Sequence, residues 1–141
     1  MLERLVHSSG DPPLLRCCTF SEGACEAGLS ALQAGAVILT DTEMAAAAIR
    51  PMAQRTLGVP VRTVLEWAPT LAPSGSTRTA AGLLLAWQEL AAERPAPVVL
   101  IGSAPTALEV LLKQVEAGAP KPSLVIGMPW ASLVCPRAKR H

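Results

Sequence analysis

The chain has 141 residues, half of them apolar and 16% charged, which predicts one domain over residues 1–141 with a sizeable core and excludes disorder as its global state. Twelve basic residues against eleven acidic give a net charge of +1, which argues against binding nucleic acid or an anionic membrane through bulk charge. Aromatics are 3%, with no Tyr, so base-stacking platforms are disfavoured too. No apolar run approaches the roughly 18 residues of a membrane span. The opening Met1-Leu2-Glu3-Arg4 is too charged for a secretory core, and the expected location is cytoplasmic.

In chain order, a short helix is expected to end within Val6-His7-Ser8-Ser9-Gly10-Asp11. Residues 21–33 read as a helix, with Thr19 and Glu22 as its capping box and Gly35 as its stop. Residues 36–40, rich in apolar and β-branched side chains, read as a buried strand. A second helix opens at Asp41-Thr42, runs through Met44 and four alanines, and is expected to end near Arg50, before Pro51. Residues 61–65 read as a strand. Residues 77–92 read as a helix with Leu83, Leu84, Trp87 and Leu90 at helical spacing. Residues 98–101 form the third expected strand. Pro105 suits the first turn of a helix that continues through Leu108, Leu111 and Leu112 to Glu116, with Gly118 as its stop. Residues 124–126 form the last expected strand. Pro60, Pro69, Pro73, Pro95 and Pro97 mark the loops. Strands alternating with helices predict an α/β fold: a single three-layer domain with a mainly parallel sheet flanked by helices. Right-handed crossovers place the strand carboxyl ends on one edge, where ligands bind in such sheets. The alternation does not give the strand order.

No G-x-G-x-x-G or Walker-type loop is present. Cys17, Cys18, Cys25 and Cys135 lack C-x-x-C spacing and read as free thiols, and His7 and His141 are too far apart for a metal-ligand pattern, so no metal site is expected. Gly102-Ser103-Ala104-Pro105-Thr106 opens a helix after a strand, and its backbone N–H groups suit an anion; a tight turn capped by Ser103 or Thr106 explains it equally. Arg78, in Ser76-Thr77-Arg78, opposes the helix dipole at a helix start. A carboxylate clamp with the Ser76 and Thr77 hydroxyls would justify that placement, and a solvated arginine is the plainer reading. His7 is of the type that serves as acid or base near neutrality, although a lone histidine is more often a surface or core residue.

Together these segments resemble the precorrin-8X methylmutase family of cobalamin biosynthesis. Leu5-Val6-His7-Ser8-Ser9-Gly10-Asp11 is similar to its histidine segment, and GAVILTDTEM at residues 35–44 to its glycine–strand–TD-x-x-M segment. Thr77-Arg78-Thr79-Ala80-Ala81 resembles its TRSAA helix start. IGSAPTAL at residues 101–108 resembles IGNAPTAL, with Ser103 in place of Asn. Ile126-Gly127-Met128-Pro129 resembles the IGMPVGF turn, with Trp130 and Ala131 departing from it, and Lys139 falls at the family's ESK lysine. Family members are longer at both ends. The resemblance implies migration of a methyl group from ring position 11 to 12 of precorrin-8X or cobalt-precorrin-8, with no cofactor. It implies His7 as the catalytic proton donor, and Asp41, Ser76, Thr77, Arg78, Ser103, Thr106 and Lys139 as substrate-binding residues. It further implies a homodimer with shared sites. Two other readings remain: a relative that binds a corrinoid without turnover, and a non-enzymatic α/β module in which Asp41 and the loops serve a protein partner.

Overall fold

A computed structural model describes residues 2–128. Its elements are α1 (Leu2–Ser9), a 3-10 turn (Pro12–Arg16), α2 (Ala24–Gln33), β1 (Ile38–Thr40), α3 (Glu43–Thr56), β2 (Val61–Thr63), a second 3-10 turn (Val64–Glu66), α4 (Arg78–Leu90), β3 (Val98–Ile101), α5 (Pro105–Glu116) and β4 (Leu124–Gly127). The four strands form one sheet in the order β2-β1-β3-β4, and every adjacent pair is parallel. This is the α/β architecture expected from the alternation. The chain steps from β1 to β2 on one side, then crosses β1 through α4 to reach β3. The strand order therefore reverses between β1 and β3, and the carboxyl ends at such a switch point are where open α/β sheets bind ligands.

The two faces follow from strand alternation. Leu39, Val99 and Ile101 join Leu83, Trp87, Leu90 and Leu111 in the main core beneath α4 and α5. Ile38 and Val98 face the other way, where smaller clusters seat α2 and α3. Of the apolar stripe expected on α4, Leu83, Trp87 and Leu90 are buried and Leu84 is half-buried.

Several element ends differ from expectation. The capping box expected at Thr19 and Glu22 does not form; α2 begins after Gly23, which has a left-handed backbone and caps without a side chain. At the other end Gly35 does stop the helix. With φ +94° it lets its own N–H reach Leu32 O at 3.1 Å and that of Ala36 reach Ala31 O at 2.9 Å, a Schellman pattern. Helix α3 does not end before Pro51 but runs through it to Thr56. The continuation buries Ala53 with Ile38 and Val59, which offsets the one backbone bond that proline forfeits. Strand β2 stops at Thr63, two residues early. A T-x-x-E capping box hidden in the apolar run takes over, with Leu65 N donating to Thr63 Oγ1 (3.3 Å) and Thr63 N to Glu66 Oε1 (2.9 Å).

Helix α4 is pinned to this turn. Arg62 stacks over the Trp67 ring at 4.0 Å, and Trp67 Nε1 donates to Glu89 Oε2 at 2.7 Å. Contact is closest at Gly82, where a Cβ would lie 2.3 Å from the Val64 carbonyl oxygen and 3.1 Å from Ala68 Cβ. Alanine would gain about 1 kcal/mol of helix propensity, but it collides with backbone that the capping box holds. Gly82→Ala is therefore expected to lose about 2 kcal/mol net. Urea unfolding measures it, and an unchanged midpoint would mean that α4 can shift freely.

Candidate functional site at the sheet's carboxyl edge

Asp41 follows β1 and is wholly buried. Its backbone continues the ladder, with N–H donating to Leu100 O at 3.1 Å. Its side chain crosses to the end of β3. There Oδ2 accepts from the backbone N–H groups of Gly102 (3.1 Å), Ser103 (2.7 Å) and Ala104 (2.8 Å), and from Ser103 Oγ at 3.4 Å. The nest of donors before α5 is real, but the chain fills it with its own carboxylate. The expectation that this turn offers those donors to a substrate anion is corrected accordingly. Helix α5 explains why a carboxylate belongs there. Its N-cap, Ala104, has no side-chain acceptor and its first residue is proline, so Asp41 supplies from a neighbouring strand the negative group that the helix start lacks. The other carboxylate oxygen, Oδ1, is buried without a partner.

Beside the nest, the starts of α4 and α5 meet. Thr77 caps α4, its Oγ1 accepting from Ala80 N at 3.1 Å. The same oxygen lies 3.0 Å from Thr79 Oγ1 and 2.9 Å from Thr106 Oγ1 on α5. An open groove of about 340 Å³ runs here, lined by Ser76, Thr77 and Thr106 and further along α5 by Glu109 and Lys113. Three residues singled out from sequence are thus brought together. Glu109 and Lys113 were missed, although Thr106, Glu109 and Lys113 fall three and four residues apart on one face of an expected helix.

Arg78, the first residue of α4, is exposed, and its Nε donates to Pro69 O at 2.9 Å, which ties the preceding loop to the helix start. Arg78 does not line the groove, and the guanidinium offers further N–H donors of the kind that bind a planar anion. His7 is exposed on the last turn of α1, a helix that packs on the Pro12–Arg16 turn. It does not line the groove. Lys139, Trp130 and Ala131 lie outside the described residues. No disulfide forms among the described residues, and no described helix is long and apolar enough to cross a membrane.

Comparison with known proteins gives this arrangement a context. Residues 1–140 match the Precorrin-8X methylmutase family. A Precorrin-8X methylmutase from Sinorhizobium sp is 42% identical over 129 residues, covering 89% of this chain and 59% of its own length. Its Pseudomonas aeruginosa counterpart is 41% identical over 132 residues, covering 89% and 60%. A Cobalt-precorrin-8 methylmutase from Synechocystis sp. is 32% identical over 151 residues, covering 97% and 67%. The crystal structure of a precorrin-8X methylmutase from Thermus thermophilus superposes with a TM-score of 0.74 at 37% identity, covering 89% of this chain and 61% of that one. The chain thus spans about three fifths to two thirds of the length of these relatives. Fold, motifs and the match over nearly every residue agree, and the chain belongs to the precorrin-8X methylmutase family.

Proposed function

We propose that the chain acts on precorrin-8X or cobalt-precorrin-8 as an isomerase, moving a methyl group from ring position 11 to 12. The observation that carries this reading is family membership over residues 1–140, joined to a groove lined by hydroxyls and an exposed arginine that directly follows Thr77 in the chain. The reaction breaks and forms one carbon–carbon bond within a single molecule, so it needs no external nucleophile or redox partner. It needs the macrocycle held in place and one group to donate a proton, which is the role assigned to His7. The substrate's many carboxylates call for cations and hydroxyl donors; Ser76, Thr77, Arg78 and Thr106 supply them, with Lys139 assigned the same role. A cytoplasmic location fits a small polyanionic substrate. The deciding experiment is incubation with precorrin-8X while following the visible absorption change of the product, hydrogenobyrinate. No conversion under conditions where a full-length relative turns over would overturn the reading, and binding without turnover would favour a corrinoid-holding role.

The reading includes a homodimer with shared sites. His7 does not line the groove of its own chain, and a second copy is a direct way to bring the two together. Strand β4 supports this, because Val125 and Ile126, with Met128 just after the strand, are exposed at the sheet edge, and an apolar edge left uncovered by the described residues invites a partner. Sedimentation at micromolar protein is expected to show a dimer. A strict monomer that still binds hydrogenobyrinate tightly would place the whole site within one chain.

Arg78→Ala is expected to weaken hydrogenobyrinate binding by about tenfold to a hundredfold, the loss of a charged hydrogen bond to a carboxylate. An equilibrium titration checks it, and an unchanged dissociation constant returns Arg78 to its single observed duty of holding the Pro69 carbonyl.

A further inference from the structure

We infer that Asp41 is a positioning residue of this site rather than a group that touches the substrate: its carboxylate sets the start of α5, and through it the Thr106–Thr77 hydroxyl pair of the groove. The inference rests on the functional reading above for what the groove binds, and on geometry alone for what Asp41 does.

The side chain is fully enclosed, so a ligand meets it only if the edge of the sheet opens. Its Oδ2 gathers three consecutive backbone donors, from Gly102 to Ala104, at 2.7 to 3.1 Å. Three successive N–H groups converging on one oxygen fix the path of that segment far more tightly than a single bond would. The next residues are Pro105, which has no N–H to give, and Thr106, whose Oγ1 lies 2.9 Å from Thr77 Oγ1. Thr77 in turn caps α4 one residue before Arg78. A linked series therefore runs from the ladder-anchored Asp41 to the ligand-facing hydroxyls, and no other described side chain caps the start of α5.

The arrangement also defines what removal would leave. Asp41→Ala vacates a space of carboxylate size faced by three N–H donors, which is a receptor for a small carboxylate anion. Asp41→Asn keeps one oxygen for the nest but places an amide NH₂ where Oδ1 now lies without a partner, so it retains the acceptor and loses its charge.

The test uses the 141-residue chain as wild type, Asp41→Ala and Asp41→Asn, with formate as the probe against chloride at equal ionic strength. Asp41→Ala is expected to melt at a lower temperature than wild type and to bind hydrogenobyrinate about tenfold or more weakly, the consequence of leaving enclosed donors unsatisfied. Formate is expected to raise its melting temperature and restore most of its affinity while leaving wild type unmoved. Asp41→Asn is expected to stay within about threefold of wild-type affinity, since the acceptor survives. Wild-type affinity in Asp41→Ala, or a formate response no larger than that of wild type, overturns the inference. Should Asp41→Ala fail to fold, amide exchange decides: the Gly102, Ser103 and Ala104 amides are expected to exchange several-fold faster in Asp41→Asn than in wild type, and equal rates overturn it. If wild type itself does not bind hydrogenobyrinate, the functional reading fails, while the formate response and exchange rates still determine whether Asp41 holds the nest.

Discussion

Trp87→Ala is expected to lower the stability of the protein by about 3–5 kcal/mol, the usual range for emptying a buried tryptophan site. Trp87 is 2% exposed and sits in the main core among Leu39, Val64, Leu83, Val99 and Leu111. Few neighbours can move in to fill the void, because α4 is already held against the turn after β2 at Gly82. The indole Nε1 is buried without an acceptor among the described residues, so the ring contributes volume and costs a desolvated donor. Trp87→Phe removes that donor and keeps most of the packing, and it is expected to recover most of what alanine loses. Urea unfolding followed by circular dichroism distinguishes the two. Equal losses for alanine and phenylalanine would show that the indole's specific shape, and not its bulk, holds the core.

His7→Ala is expected to reduce methyl migration by about 10²–10⁴-fold, the ordinary contribution of a positioned proton donor, with hydrogenobyrinate affinity and the thermal midpoint little changed. The imidazole is exposed on the last turn of α1, a helix with no buried residue. An exposed side chain at a helix end contributes little to stability, so its loss is expected to cost at most about 1 kcal/mol. Single-turnover kinetics with precorrin-8X, with a melting curve of the same sample, separate the two roles. A variant that unfolds, or one that turns over normally, would remove His7 from the chemistry.

Much of this fold was legible because its strands are short Val- and Ile-rich runs between turn residues, and because α4 and α5 repeat leucines at helical spacing. The misreadings have particular causes. Thr63 lies inside the 61–65 run that reads as strand and Glu66 just beyond it, so the capping box that ends β2 is masked by its apolar neighbours. Pro51 was read as a terminator because the gain from burying Ala53 depends on where β1 and β2 lie. Asp41 and the Ser103 segment were each noticed, but their union spans 62 positions and exists only because β1 and β3 are neighbours. Strand order is a tertiary fact that periodicity does not encode. Lys113 and Glu109 share a helical face with Thr106, but on an amphipathic helix charged residues at that spacing look the same whether the face is solvated or lines a groove.

Thr77 and Thr106 at the head of the groove form a row of hydroxyls with Thr79, which lies outside its lining. Thr77 Oγ1 has one proton and two lone pairs, and Ala80 N–H already occupies one lone pair. Toward Thr79 and Thr106 it can then donate once and accept once, so the row has two internally consistent proton orders. In one, Thr106 accepts from Thr77 and turns its own proton into the groove, presenting a donor suited to a carboxylate. In the other, Thr106 donates to Thr77 and turns lone pairs outward, presenting an acceptor suited to an amide N–H or a protonated acid. Rotating three hydroxyl protons reverses the polarity of the groove wall with no heavy atom displaced, so one rigid scaffold can satisfy either ionisation state of a side arm laid against it.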